Sequence, residues 1–183
     1  MKILLHTCCA PCMIFPLEQL RRNKHEVEGY FFNPNVHPYT EYLKRREAVE
    51  QFSKQSSVMV HYPEYFPSDF FHEIHTKEAH PERCGLCWTF RLKAAARVAK
   101  EQGFDAFTTT LLVSPYQDQA LLQKIGIALA QTEEISFYYE DFRPGFRVSH
   151  QQAKAHGLYC QKYCGCLYSE VERCKKPVKI RKA

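Results

Sequence analysis

Nine cysteines are the residues of this 183-residue chain best suited to chemistry. Eight of them fall into three short runs roughly 70 residues apart, and these runs are Cys8, Cys9 and Cys12, then Cys84 and Cys87, then Cys160, Cys164 and Cys166. Two thiolates at Cys-x2-Cys spacing can reach the same ion or the same cluster edge. A structural zinc site uses two such pairs, whereas here one pair is adjacent and another is one residue apart. The spacing therefore favours iron–sulfur or thiol redox chemistry over a zinc ribbon.

The ninth cysteine, Cys174, stands alone and is expected to be a small hydrophobe or an exposed thiol. An odd number of cysteines argues against a disulfide framework. The first residues are more typical of a buried strand than of a secretory leader, because His6, Pro11 and Pro16 interrupt the apolar run. No stretch approaches the ~20 apolar residues of a membrane span. We therefore expect a cytosolic protein that contacts no membrane.

Composition and charge are typical of a folded domain, with 45% hydrophobic and 25% charged residues. The net charge of +5 is local, because residues 173–183 hold six Lys and Arg and no acidic residue. A basic tail suits a phosphate-rich partner such as RNA, although it is also typical of a solvated terminus. A second basic run, 44–46, lies on a predicted helix. We expect one catalytic domain over 1–183, with a basic C-terminal tail at about 173–183.

Strands and helices alternate along the chain. Hydrophobic patterning predicts strands at 2–6, 27–32, 57–61, 104–110 and 135–139, and helices at 13–23, 39–55, 67–78, 83–102 and 117–131, followed by a helix that Ser149 opens with Gln152 as its capping box. This alternation predicts an α/β fold, a Rossmann-like (HUP-like) parallel sheet with helices on both faces. Ligands of such sheets bind beyond the carboxyl ends of the strands, so we expect a metal site there. The first strand lacks a glycine-rich loop after it, which disfavours an ATP pyrophosphatase or a dinucleotide dehydrogenase.

Six blocks of residues resemble one enzyme family. They are 5–12, then 32–38 with Glu41, Tyr42 and Arg45, then Cys84 and Cys87 with Arg91 and Leu92, then 109–116, 141–143 and 159–169. Together, and in this order from residue 4 to about 169, they resemble the cobalamin-independent epoxyqueuosine reductases of the QueH type. The resemblance implies an iron-dependent enzyme that reduces epoxyqueuosine to queuosine at the wobble base of tRNA, the last step of that modification.

The cysteines agree with the chemistry that the resemblance implies. Removing an epoxide oxygen to leave an alkene needs two electrons and two protons, and among the side chains only thiols supply electrons. With the resemblance, we assign Cys8, Cys9, Cys84 and Cys87 as the ligands of a 4Fe-4S cluster. We expect Cys84 and Cys87 to lie at the start of a helix, where the dipole favours thiolates.

Cys164 and Cys166 are assigned as a redox-active pair. A disulfide between cysteines one residue apart would be strained and easily reduced. The pair would relay electrons, from a donor that the sequence does not identify, or report turnover. A competing assignment places Cys164 or Cys166 with Cys12 on a second mononuclear iron, completed by a carboxylate.

Candidates for proton transfer and substrate binding lie in the same strand-end segments. Asp118 and Asp141 could protonate the opened epoxide or bind metal, while a helix cap for Asp118 and an ion pair with Arg143 for Asp141 are equally good interpretations. Tyr116 and His37 could stack on an extruded anticodon base, or could simply pack in their loops. Arg143 is the third substrate-binding candidate.

Two other functions are compatible with the cysteines alone. The first is a zinc-stabilised RNA-binding module without catalysis, and the second is a cytosolic thiol oxidoreductase that uses only Cys164 and Cys166. His72 and His75, upstream of Cys84, imitate part of a zinc finger. Their spacing is tight against the usual three to five intervening residues, so we expect both histidines at the surface.

Overall fold

The computed structural model describes residues 1–175 of the chain. Within this range the strands are β1 (Lys2–His6), β2 (Glu26–Tyr30), β3 (Val60–His61), β4 (Ala106–Thr109) and β5 (Ser136–Phe137). The α-helices of the same range are α1 (Ala10–Arg22), α2 (Tyr39–Ser56), α3 (Pro67–Glu73), α4 (Glu82–Glu101), α5 (Gln119–Thr132), α6 (Phe146–Ala155) and α7 (Leu167–Cys174). Most of the predicted basic tail, 176–183, lies outside the described residues.

All five strands are parallel and stand in the order β3-β2-β1-β4-β5. The predicted α/β, Rossmann-like fold is therefore confirmed. The central strand β1 carries Ile3, Leu4 and Leu5, all fully buried, because a parallel strand inside such a sheet is covered on both faces. Leu5 pairs with Gly29 of β2 on one side and with Thr108 of β4 on the other.

Helices cover the sheet as two layers. Helix α1 packs against α2 and α6, whereas α4 packs against α5. The strand order runs from β1 through β2 to β3 in one direction and from β1 through β4 to β5 in the other. Right-handed crossovers therefore put helices α1 and α2 on one face of the sheet and helices α4 and α5 on the other. Their buried faces form one hydrophobic core around β1 and β4.

The carboxyl ends of β1 and β4 mark the point where the strand order reverses. The chain leaves β1 toward β2 on one side and later returns to form β4 on the other side. The connections therefore diverge between these two strands and leave a crevice, which is the usual ligand position in open α/β sheets. Cys8 lies just beyond the end of β1, and Thr110 directly follows β4.

Several element boundaries differ from the prediction, and one helix begins elsewhere. Helix α6 begins at Phe146, and Ser149 lies inside it fully buried instead of capping it. The Ser149 hydroxyl accepts a hydrogen bond from the backbone N–H of Phe15 in α1. Tertiary packing of α6 on α1 thus uses the serine that a capping-box pattern would place at a helix start. The short helix α7 was not predicted.

None of the helices within residues 1–175 has the length and apolar character that crossing a bilayer requires.

Candidate metal and redox site

The first cysteine run forms a compact group at the carboxyl end of β1, which we call the cysteine triad (Cys8, Cys9 and Cys12). Cys9 is the N-cap of α1 and Cys12 lies in its first turn, so the helix brings the three thiols to one side. Their sulfurs all lie within 4.8 Å of one another, and the Cys8 and Cys9 sulfurs are 3.7 Å apart. Metal–sulfur bonds of about 2.3 Å in a tetrahedron separate sulfurs by about 3.8 Å. The triad therefore fits thiolate coordination of a metal.

Thr110 fixes Cys8 across the crevice between β1 and β4. Its hydroxyl accepts a hydrogen bond from the Cys8 N–H at 3.0 Å and donates one to the Cys8 sulfur at 3.3 Å. The pKa of Cys8 is held well below its ordinary value, first by hydrogen bonds from the thiols of Cys12 and Cys9 and further by the positive charge of Arg91. Cys8 is therefore the thiol of the triad that ionises most readily.

The other two thiols of the triad are shielded from water. Burial raises the pKa of Cys9 well above its ordinary value, and the hydrogen bond to Cys8 does the same for Cys12. The side-chain amide of Gln161 donates to the Cys9 sulfur at 2.8 Å and lies 3.8 Å from the Cys12 sulfur. Gln161 belongs to the third cysteine run of the sequence, so the fold joins segments about 150 residues apart.

A second cysteine group consists of Cys84, Cys87, Cys164 and Cys166. Cys87 and Cys166 are buried together with Phe70 and Ile74 in a small apolar cluster. Burial, together with the charge interaction with Cys164 and Cys166, raises the pKa of Cys84 to about 11 and that of Cys87 to about 12. Cys84 and Cys87 do lie in the first two turns of α4, as expected. At these two thiols desolvation opposes the helix dipole, which the sequence analysis expects to favour thiolates.

The segment between Cys164 and Cys166 is held in one conformation. Gly165 has φ of +141°, and a Cβ atom there would lie 3.0 Å from Val36 and 3.1 Å from the Arg45 guanidinium. Only glycine fits this backbone without strain. Cys164 is exposed and its sulfur lies 3.9 Å from the Gln117 amide, whereas Cys166 is buried and caps α7. All nine cysteines are free thiols in the structure.

A buried ion pair anchors this segment from α2. Arg45 is 1% exposed and donates to the Glu41 carboxylate at 2.8 Å, while the Tyr159 hydroxyl donates to the other oxygen of Glu41. The same guanidinium donates to the backbone oxygens of Cys164 at 2.7 Å and Tyr163 at 3.0 Å. Arg45 is therefore part of the site. The basic run 44–46 therefore has one member, Arg45, that is buried and not available to a phosphate-rich partner.

The two candidate acids occupy the structural roles that the sequence also allowed. Asp118 is exposed and caps α5 by accepting a hydrogen bond from the Leu121 N–H at 3.0 Å. Asp141 forms a bidentate pair with Arg143 at 2.6 and 2.7 Å, and hydrogen bonds from this arginine hold the pKa of Asp141 below its ordinary value. Arg143, a substrate-binding candidate, is itself engaged by this pair.

The two aromatic side chains expected to stack on a base differ in exposure. Tyr116 is 83% exposed and meets the ring of Phe146 edge-on. His37 is buried, stacks on Phe71 with ring centroids 4.8 Å apart, and has no hydrogen-bond partner on either ring nitrogen among the described residues. Burial lowers the pKa of His37, which keeps the imidazole neutral. Tyr116 thus offers an open aromatic face, and His37 offers two unused polar atoms.

The remaining sequence candidates lie apart from the two cysteine groups. His72 and His75 are exposed, as expected, and Cys174 is exposed at the end of α7. Cys160 is half-buried and donates to the backbone oxygen of Leu158 at 3.6 Å.

Sequence reasoning missed the roles of several residues that surround the thiols. These are Thr110, Gln161, Arg91 and the pair Glu41 and Arg45. Each lies inside or beside a block that carries the family resemblance. The blocks therefore held the signal, but residue type alone did not reveal which side chains meet in space.

The fold and the site together define a class of protein. A parallel Rossmann-like sheet whose reversal point is lined by thiols from several chain segments is an α/β protein built for thiol or metal–thiolate chemistry. A family model described as epoxyqueuosine reductase QueH matches residues 3–172. The chain belongs to this QueH family of epoxyqueuosine reductases and is an oxidoreductase, as the sequence predicted.

Individual relatives agree with this family. Epoxyqueuosine reductase QueH of Thermotoga maritima is 32% identical over 186 residues, covering 97% of this chain and 95% of that protein. The QueH of Dehalococcoides mccartyi is 33% identical over 177 residues, covering 96% of each chain. A solved structure, the predicted subunit of tRNA methyltransferase from Methanocaldococcus jannaschii, is similar with a TM-score of 0.58 at 9% identity, covering 84% of this chain and 76% of that one. That likeness supports the fold alone.

Proposed function

We propose that this protein reduces epoxyqueuosine to queuosine at the wobble position of tRNA, with an iron–sulfur cluster as its source of single electrons. The reaction consumes two electrons and two protons, removes the epoxide oxygen as water and leaves an alkene. The observation that carries the proposal is the compact cysteine triad at the carboxyl end of β1, in a member of the QueH family.

For the cluster we propose the thiolates of Cys8, Cys9, Cys84 and Cys87 as ligands. These side chains offer soft sulfur donors in a region from which water is largely excluded, which suits iron–sulfur coordination. Thr110 and Gln161 donate hydrogen bonds to sulfurs of the triad, and such hydrogen bonds tune the potential of a bound cluster. Cys12, within 4.8 Å of Cys8 and Cys9, is the candidate ligand of a second mononuclear iron.

Cys164 and Cys166 are proposed as the thiol pair that passes electrons or reports turnover. Cys164 is exposed as a residue although burial of its thiol raises that thiol's pKa, whereas Cys166 is buried beside Cys87. Gly165 and Arg45 hold the segment between them. A rival role, with either cysteine on a metal, is distinguished below by the iron content of serine variants.

Substrate binding is proposed for Tyr116, His37 and Arg143. Tyr116 neighbours Gln117, whose amide lies 3.9 Å from the Cys164 sulfur, so a base stacked on Tyr116 would lie near the reactive thiol. Asp118 and Asp141 remain candidate proton donors. Each would first have to release its present hydrogen bond, to Leu121 or to Arg143.

The tRNA partner is supported by charge around the site. Residues 142–169 contain no Asp or Glu, and this stretch carries both the third cysteine run and Gln161. Of its four Lys and Arg residues, Arg147, Lys154 and Lys162 are exposed and form no ion pair within the described chain. An acid-free, cationic border beside exposed Tyr116 suits the phosphates and splayed bases of an anticodon loop. The predicted basic tail would add to this attraction.

Neutralising part of this border should weaken tRNA binding in a salt-dependent way. For the double variant Arg147→Gln, Lys154→Gln we expect the slope of log affinity against log salt to flatten by about 0.7 to 0.9 for each phosphate that the variant no longer neutralises. Binding would be measured by titration of labelled tRNA at several salt concentrations. The matched control is Lys24→Gln, Lys124→Gln, two exposed lysines before β2 and on α5. An equal change in both double variants would contradict docking at this border.

The cofactor and the reaction can be tested on one anaerobic preparation. We expect about four irons and four sulfides per chain with a broad absorption band near 400 nm, and surplus iron if Cys12 holds a second ion. With a chemical reductant, this protein should convert epoxyqueuosine in tRNA to queuosine. Zinc without sulfide in a colourless, folded protein would instead establish the RNA-binding module, and conversion by metal-free protein would establish the thiol oxidoreductase. Cytosolic location and the electron donor are predictions for cell fractionation and for reconstitution with candidate reductases.

A further inference from the structure

Arg91 of α4 is a buried cation without a carboxylate partner. Its side chain is 2% exposed, yet no Asp or Glu of residues 1–175 lies within ion-pair distance of it. One guanidinium nitrogen donates to the Asn33 side-chain oxygen at 2.6 Å and another lies 3.9 Å from the Cys87 sulfur. The third, Nε, has no partner in the described chain. Neutral acceptors alone therefore surround a group that cannot lose its charge.

The other two buried arginines each have a carboxylate partner. Arg45 is paired with Glu41, and Arg83 is paired with Glu172 at 2.8 Å. Burying a charge is costly unless an opposite charge lies close by. Among the described residues, this fold supplies carboxylates to the other two buried guanidinium groups and none to Arg91.

Thiols, which become anionic when they bind a metal, are the groups within reach of Arg91. One of its nitrogens lies 3.9 Å from the Cys87 sulfur, and Arg91 is close enough to Cys8 for their charges to interact. Arg91 thus lies beside thiols of both cysteine groups.

Arg91 is also held rigidly in place. Asn33, which accepts its hydrogen bond, donates its own amide to the backbone oxygen of Thr7 at 2.9 Å. Thr7 directly precedes Cys8, so a chain of hydrogen bonds joins α4 to the turn that carries the triad. A fixed cation at a fixed distance acts on charge in the site without reorganising.

We propose that Arg91 is the protein's built-in counterion for the thiolate-bound metal group and raises its reduction potential. A nearby positive charge stabilises the more negative, reduced state of such a group more than the oxidised state. This proposal rests on the proposed iron–sulfur function, and it assigns Arg91 a positioning and electrostatic role and no step of bond making.

The test compares neutral and charged replacements in the anaerobic, iron-loaded protein. Arg91→Gln and Arg91→Met remove the charge, Arg91→Lys keeps it, and Arg97→Gln on the same helix is the remote control. We expect the equilibrium constant for one-electron reduction to fall at least about tenfold in the neutral variants, a shift of about 59 mV to lower potential. Arg91→Lys should stay within a few-fold of the parent and Arg97→Gln should not change. The readout is a spectroscopic redox titration.

A second readout covers variants that load iron poorly. Removing the metal with a chelator should lower the unfolding midpoint of the parent protein more than that of Arg91→Met, because only the parent is left with an uncompensated buried cation. Equal potentials in parent and Arg91→Met, or equal losses of stability on metal removal, would overturn the counterion role while leaving the cluster in place. A parent protein without iron and sulfide would overturn the proposed function and this inference together.

Discussion

Serine in place of Cys164 or Cys166 is expected to lower the rate of epoxide reduction by on the order of 10³-fold or more. The iron and sulfide content should stay at the parental level. The physical reason is that serine cannot donate electrons or form a disulfide, whereas the proposed cluster ligands are other residues. Replacing Cys8 or Cys87 should instead remove iron and colour together with activity, because each deletes a thiolate ligand. Metal analysis and single-turnover conversion of tRNA, on the same preparations, separate the two classes.

The chain supplies matched controls for these serine variants. Cys160 and Cys174 lie outside both cysteine groups, so their serine variants should keep iron and activity. Loss of iron from the Cys164→Ser or Cys166→Ser protein would contradict the relay role and establish the competing assignment of that cysteine to metal. The variant Cys12→Ser reports on the second ion, since it should lose only the iron in excess of four.

Removing the partner of Arg45 is expected to have the largest effect on stability. The variant Glu41→Gln leaves a guanidinium that is 1% exposed without its counter-charge, which should cost about 3–5 kcal/mol of unfolding free energy. Urea unfolding of the metal-free protein would measure this change. The cost should be partly recovered in Glu41→Gln, Arg45→Met, where no buried charge is left unpaired.

A matched ion pair on the same helix provides the control. Arg46 and Glu50 have the same spacing and the same 2.8 Å separation as Arg45 and Glu41, but both side chains are about 40% exposed. The variant Glu50→Gln should therefore change the unfolding free energy by less than about 1 kcal/mol. A similarly small effect of Glu41→Gln would show that the buried pair is not what anchors the segment from Tyr163 to Gly165.

Much of the fold followed from local patterns. The alternation of strand and helix signals predicted a parallel sheet, and helix α2 begins at Tyr39 as its amphipathic pattern indicated. The length of β5 was overestimated. A strand extends only as far as it pairs with its neighbour, and only two residues of β5 pair with β4. The start of α6 was misplaced because Ser149 is used by packing against α1.

The chemistry of the site was also partly visible in advance. The cysteine runs and the strand-end segments predicted a thiol site at the carboxyl edge of the sheet, and the structure brings Cys8 to Thr110 and Gln161 to Cys9 there. The sequence left two interpretations open for each candidate acid, and the structure shows Asp118 as a helix cap and Asp141 paired with Arg143.

By itself, the sequence determined the family, the α/β class and the thiols available for chemistry, because motif spacing and hydrophobic periodicity are properties of short segments. Only the tertiary structure decided the ionisation and partners of these thiols. Charge and desolvation act through space, so Arg91 affects Cys8 from a helix more than 80 positions away, and Arg45 holds the backbone of Cys164 across 119 positions. The carboxyl ends of parallel strands meet at one edge, and there residues remote in the chain become chemical neighbours.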